Sequence, residues 1–144
     1  MTERTAAQID AAVAGTTVAT AFRDTVRAHP DRVALRSYDG DAPVDLTYAE
    51  YAERACRLAA SLGAHGVGRG DRVVLMMGNR PEFHIADVAV LLCGATPISI
   101  YSSSAPDQIA YLVSHSKARF AIVEHEHYLT EMLSVRADLP TLEQ

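Results

Sequence analysis

Apolar and polar positions alternate with two different periods along this chain, and the clearest switch between them lies in residues 71–101, DRVVLMMGNRPEFHIADVAVLLCGATPISIY. Residues 72–77 form a short apolar run ahead of Gly78, the pattern of a strand buried on both faces of a parallel sheet. Gly78-Asn79-Arg80-Pro81 reads as a turn leading into a helix, because a proline in the first turn needs no N–H and already has helical φ. Ile85, Val88, Ala89, Leu91 and Leu92 recur at helical spacing on one stripe. Gly94 ends that helix, and the β-branched residues 96–100 supply a second strand. Strand, turn, helix and strand follow one another with no spare residue, as in a βαβ unit.

The same reading extends in both directions. Residues 1–16 form a weakly ordered lead-in in which Ile9, Ala12 and Val13 make a marginal helical face, and fraying is expected. Thr17 caps a helix reaching about His29, with Val18, Ala21, Phe22 and Val26 on its apolar side and Pro30 beyond its end. Residues 32–38 alternate as a strand, Asp39-Gly40 is a hairpin dipeptide, and residues 44–46 return antiparallel. This ribbon is expected at the edge of a larger sheet. Thr47 and Glu50 have capping-box spacing. The helix they open carries Tyr51, Ala55, Leu58, Ala59 and Leu62 inward and Glu53, Arg54 and Arg57 outward, with Gly63 as its stop.

After Tyr101 the alternation of elements continues. Ser102-Ser103-Ser104 precedes a helix that starts at Pro106 and carries Ile109, Leu112 and Val113. Residues 120–123 make a third apolar strand, residues 127–135 a further amphipathic helix, and residues 139–142 the approach to a fourth strand. The fold class is α/β: a mainly parallel sheet with flanking helices, right-handed crossovers and a short N-terminal β-hairpin. Three parallel strands leave a sheet edge uncovered, as expected of part of a larger domain. The division is a flexible lead-in at 1–16 and a partial domain at 17–144.

Bulk properties narrow the function. With 144 residues, 49% hydrophobic and 22% charged, the chain has the size and balance of one globular domain. A formal charge of -5, with no Lys/Arg cluster, gives no footprint for nucleic acid. Apolar runs reach about ten residues against the roughly 20 that span a bilayer, so no transmembrane segment is read. Residues 1–15 lack the basic start and continuous apolar run of a secretory signal. Cys56 and Cys93 are far apart and form neither a disulfide framework nor a zinc pair, which fits the cytoplasm.

Candidate chemistry is sparse. The glycines at 63, 66, 68 and 70 stand between a helix and a strand, the reverse of a dinucleotide loop, and Asp71 holds the third glycine's place. No G-x-x-x-x-G-K-[ST] occurs. His125-Glu126-His127 has no metal-ligand spacing on a helix. Asp39 and Asp41 lack the spacing of a calcium loop. Ser102, Ser103 and Ser104, with His115 as a base, lack a G-x-S-x-G elbow and are read as caps for the Pro106 helix. Asn79 and Glu82 sit at the carboxyl end of a strand, where α/β sites gather, although asparagine also suits a turn for conformational reasons.

Four stretches taken in order resemble the N-terminal region of the AMP-forming acyl-CoA synthetases, the adenylate-forming superfamily. They are Leu46-Thr47-Tyr48-Ala49-Glu50-Tyr51, Gly68-Arg69-Gly70-Asp71-Arg72-Val73, Asn79-Arg80-Pro81-Glu82 and Leu92-Cys93-Gly94-Ala95-Thr96-Pro97. Ile100-Tyr101-Ser102-Ser103-Ser104 and the following Gln108 are similar to the long-chain fatty-acid branch. Ser102 replaces a common proline there, and Cys93 replaces a common alanine.

The resemblance covers roughly residues 17–142 and implies the large N-terminal domain of that fold. It also implies an activity for the complete enzyme, in which a fatty acid, ATP and CoA give acyl-CoA, AMP and pyrophosphate, with Mg²⁺ as cofactor. The family's phosphate loop, Mg²⁺-holding glutamate, ribose-binding aspartate and mobile lysine have no counterpart here, and Lys117, the only lysine, lies in a helix-to-strand loop. No catalytic, cofactor-binding or metal residue is carried over, and no cofactor is expected for this chain alone. The expectation is an N-terminal fragment of a fatty-acid-CoA ligase, inactive by itself, whose partner is the separately encoded remainder of the synthetase. Alternatives are a freestanding α/β binding module and the product of an interrupted gene.

Overall fold

The computed structural model describes residues 5–144. Helix α1, Ala6–Val13, is closed by a reciprocal cap: the Thr5 N–H donates to Gln8 Oε1 at 2.9 Å, and the Gln8 N–H donates to Thr5 Oγ1 at 3.4 Å. Much of the stretch expected as a frayed lead-in is therefore helical, although α1 buries none of its residues. Residues 1–4 of that stretch lie outside the described residues.

Helix α2, Val18–Ala28, starts at Thr17, whose hydroxyl accepts from the Thr20 N–H at 3.1 Å. Strands β1, Val33–Asp39, and β2, Ala42–Thr47, pair antiparallel around Gly40. The Arg36 guanidinium grips Asp45 across this hairpin with bonds of 2.6 and 2.7 Å. One expectation fails here, because the hairpin is not an edge ribbon of the larger sheet but a two-stranded sheet of its own. Ala34, Leu35 and Leu46 instead pack onto the helices beside it. A register shift between Val33 and Leu35 helps turn the two neighbouring residues Ala34 and Leu35 toward those helices.

Helix α3, Tyr48–Ala64, opens on the capping box: the Thr47 N–H donates to Glu50 Oε2 at 2.8 Å, and the Glu50 N–H donates to Thr47 Oγ1 at 3.3 Å. Gly63 is not its stop. The helix runs past it to a cap at His65, and the left-handed residue that turns the chain is Gly66, at φ 89°.

Strand β3, Arg72–Met76, helix α4, Pro81–Leu92, and strand β4, Thr96–Ile100, form the βαβ unit, with Gly94 left-handed at φ 74° after α4. Helix α5, Pro106–Ser116, leads to β5, Phe120–Val123, followed by α6, Glu126–Ser134, and a 3₁₀ turn, Arg136–Asp138. The three parallel strands lie in the order β4-β3-β5.

Central β3 explains the unbroken apolar run in the sequence. Val74 and Met76 meet Ile109, Val113 and Met132 on one face, while Val73 and Leu75 meet Ala86, Val90 and Phe120 on the other. Helix α4 is likewise buried on two sides, since Ile85 and Val88 pack with Tyr51 and Ala55 of α3. A single-stripe reading of α4 thus missed Ala86 and Val90, because the helix is a middle layer rather than a surface one. The fourth strand does not form over residues 139–142. Leu139 and Leu142 turn into the core instead, and the chain meets the edge of β5 at Glu143, whose N–H donates to the Arg119 carbonyl at 2.7 Å, and at Gln144, whose carbonyl accepts from the Ala121 N–H at 2.9 Å.

Candidate functional site at the carboxyl edge of the sheet

The chain leaves β3 through α4 on one sheet face and leaves β4 through α5 on the other. A crevice opens between the carboxyl ends of these adjacent strands, at the edge of the sheet where α/β proteins place their ligands. A cavity of 440 Å³ lies there. Met77, Gly78 and Asn79 after β3, Ser99, Ile100, Tyr101 and Ser102 at the end of β4, and Phe83 of α4 line it. A second hollow of 420 Å³ lies on the other side of the β3–α4 turn, between Asn79, Arg80, Pro81 and His84 and the hairpin residues Leu35–Tyr38. The turn is therefore a wall shared by two hollows.

That wall is held by an acid from a different strand. The Gly78 N–H donates to Glu124 Oε2 at 2.5 Å, Arg80 Nη1 donates to Glu124 Oε1 at 3.0 Å, and Arg80 Nε donates to Glu82 Oε2 at 2.6 Å. The Gly78 N–H first, and the Arg80 guanidinium second, hold the Glu124 carboxyl below the usual carboxylate range. The hydrogen bond from Arg80 does the same to Glu82. Arg80 is raised above its ordinary value by both acids, so its charge is already matched.

Of the residues singled out from the sequence, Asn79 lines the cavity while Glu82 turns to Arg80. The serines do not cap α5: Ala105 is its N-cap, and the Ala105 N–H is satisfied by Gln108 Oε1 at 3.0 Å. Ser102 faces the cavity instead. His115 stacks on Tyr111 at 5.4 Å and has no hydrogen bond to any of the three serines. His125 stacks on Tyr128 at 3.9 Å, and His127 lies 3.5 Å from Glu131. Among the described residues no group of three or more His, Cys, Asp or Glu is placed to hold a metal ion. The glycine-rich connector is a turn braced by Asp71, which accepts from the Gly68 N–H at 2.8 Å and from Arg119 at 2.7 Å.

Sequence reading missed Glu124, Tyr101 and Phe83. The available signal for Glu124 was an acid directly after an apolar strand, which places it at the carboxyl edge. Chemically, the cavity presents apolar and aromatic walls with neutral hydrogen-bonding groups from Asn79, Ser99 and Ser102.

A parallel sheet flanked by helices on both faces, with a ligand-sized crevice at the carboxyl ends of two strands, defines an open α/β protein. Residues 22–144 match the family described as AMP-binding enzyme, and the chain belongs to that family. An uncharacterized protein of Mycobacterium tuberculosis is 38% identical over 112 residues, 78% of this chain and 63% of that protein. The medium/long-chain-fatty-acid–CoA/3-oxocholest-4-en-26-oate–CoA ligase of Mycobacterium marinum is 36% identical over 117 residues, 81% of this chain and 20% of the ligase. The crystal structure of a putative long-chain-fatty-acid CoA ligase from Rhodopseudomonas palustris superposes with a TM-score of 0.77 at 30% identity, covering 89% of this chain and 31% of that one. The chain thus spans under two thirds of the first relative and about a fifth of the second. Among the described residues no helix is long and apolar enough to cross a membrane.

Proposed function

We propose that this chain is the acyl-side portion of the large domain of a fatty-acid-CoA ligase, and that it does not turn over substrate by itself. The complete reaction joins a fatty acid to ATP as an acyl-adenylate, releases pyrophosphate and passes the acyl group to CoA, with Mg²⁺ assisting. The carrying observation is the cavity at the carboxyl ends of β3 and β4, with Met77, Phe83, Ile100 and Tyr101 on its walls. Such a surface suits a hydrocarbon chain or ring rather than a triphosphate, whose transition state needs converging cations and donors. Arg80, the cation beside the cavity, is committed to Glu82 and Glu124.

On this reading the chain works in the cytoplasm with the remainder of the enzyme as its partner. The short uncharacterized relative supports it, because 112 matched residues make up 63% of that protein. A pyrophosphate-release assay with ATP, Mg²⁺, CoA and palmitate provides the test. Background-level release from the purified chain, and turnover once a complementary portion is supplied, is the expected result. Robust turnover by the 144-residue chain alone would sink the proposal.

The M. marinum ligase's name favours a second reading, in which the acid is a steroid side-chain carboxylate. Running the reconstituted assay with 3-oxocholest-4-en-26-oate beside palmitate separates the two by their kcat/KM.

A further inference from the structure

Among the described residues the outer edge of β5 is covered at its base alone. There the Arg119 carbonyl accepts from the Glu143 N–H at 2.7 Å and, more weakly, from the Gln144 N–H at 3.3 Å, while the Gln144 carbonyl accepts from the Ala121 N–H at 2.9 Å, which sets Gln144 beside Phe120 as a parallel partner. Glu124 and its alternate neighbours face β3, as the Glu124 N–H bond to the Met76 carbonyl records. Strand alternation therefore turns the Val123 N–H and carbonyl outward, on the same side as those of Ala121. Beside this edge runs a groove of 190 Å³ walled by Val123, Leu129, Met132, Leu133 and Leu142. Leu129 and Leu133 are 43% and 56% exposed.

The base of the groove is tightly fixed. Arg119 holds Glu143 with bonds of 2.8 and 2.9 Å, and Arg136 donates to the carbonyls of Leu139 at 2.9 Å and Leu142 at 2.6 Å. The Thr141 hydroxyl donates to the Ala118 carbonyl at 3.0 Å. Gln144 is thus a held first rung of a fourth strand. The residues of β5 carry no proline or charge of the kind that blocks edge pairing.

We propose that this edge docks the remainder of an adenylate-forming enzyme. An extended partner segment, apolar at alternate positions, adds to β5 in parallel beyond Gln144 and lays side chains on Leu129 and Leu133. This rests on reading the chain as one part of a two-part enzyme. Two observations choose that occupant. The chain spans only 20% of the M. marinum ligase, which leaves four fifths of that enzyme to supply the strand. The first rung is also parallel, whereas a second copy meeting edge to edge about a two-fold axis pairs β5 antiparallel.

The test co-expresses the intact tagged chain with the M. marinum ligase trimmed of the fifth that this chain matches, and compares two variants. Val123→Pro removes the outward N–H and leaves the bonds to β3 in place. Leu133→Glu puts a charge on the exposed groove wall and decides the matter if the proline variant does not fold. Co-purification of the wild type, with binding weakened about tenfold or more in folded variants, is the expected result. Folded variants that bind like wild type overturn the edge assignment and leave the two-part reading standing. No binding by the wild type overturns that reading and this occupant with it. Self-association of the purified chain that Val123→Pro abolishes assigns the edge to a second copy instead and overturns the proposal.

Discussion

The carboxylate of Glu124 and the backbone N–H of Gly78 are joined at 2.5 Å although 46 residues separate them. The end of β5 thereby sets the position of the β3–α4 turn, one wall of the cavity between β3 and β4. Removing the carboxylate in Glu124→Ala leaves that N–H unpartnered and frees Arg80 from one of its two acids. Amide exchange at Gly78 should accelerate roughly tenfold or more while exchange in β3 stays slow. The folded carboxyl is held below its usual range, so its contribution is full above the unfolded value of about 4.3 and is lost as the pH falls through the lower folded value. Thermal melts of wild type and variant should differ at pH 7 and converge in acid.

Tyr51 joins α3 to α4 through its hydroxyl, which donates to the His84 carbonyl at 2.8 Å, while its ring packs edge-on against Phe22 at 4.9 Å. Burial pushes the phenol up to about 12, so it stays protonated as a donor across the physiological range. Tyr51→Phe should cost about 1 kcal/mol in urea unfolding, with an unchanged m-value.

Asp87, half-buried on α4, is raised above the ordinary aspartate value by burial, and the charge of His84 opposes this only in part. An acid whose folded value is raised lowers stability where it is ionised and has no effect below the unfolded value of about 3.9. Asp87→Asn should therefore raise the melting temperature at pH 7 by a few degrees, about 2–4 °C. The same comparison in acid, where Asp87 is protonated in both states, should show no gain.

Lys117 ends α5 in a left-handed conformation, φ 53° and ψ 39°, as the only non-glycine residue with positive φ among those described. Such a conformation costs an L-residue roughly 1–2 kcal/mol, partly offset by the roughly 0.5–1 kcal/mol of extra chain entropy that glycine loses on folding. Lys117→Gly should stabilise the fold by about 0.5 kcal/mol in denaturant titrations.

Local signals carried most of the element reading. The Thr47–Glu50 box, Pro81 at the start of α4 and Gly94 after it act within one helical turn, so three or four residues contain the whole cause. Where two glycines satisfied the same rule, the rule did not choose. Gly63 continues the helix and Gly66 turns it, because the turn follows the left-handed backbone rather than the residue name. The cavity was legible only as Asn79 at a strand end and Ser102 ahead of a helix, since Phe83 and Tyr101 join it from other elements and Glu124 holds its wall from beyond β5.

Periodicity by itself determined the kinds of elements and their order, and the four ordered motifs pointed to the family that residues 22–144 match. Tertiary structure alone decided which surfaces met. It set the hairpin apart from the parallel sheet, buried α4 on two sides and brought Glu124 to Gly78. The reason is physical: a residue's spacing records how many faces must leave water, while the partner for each face follows from crossovers that join strands distant in the chain.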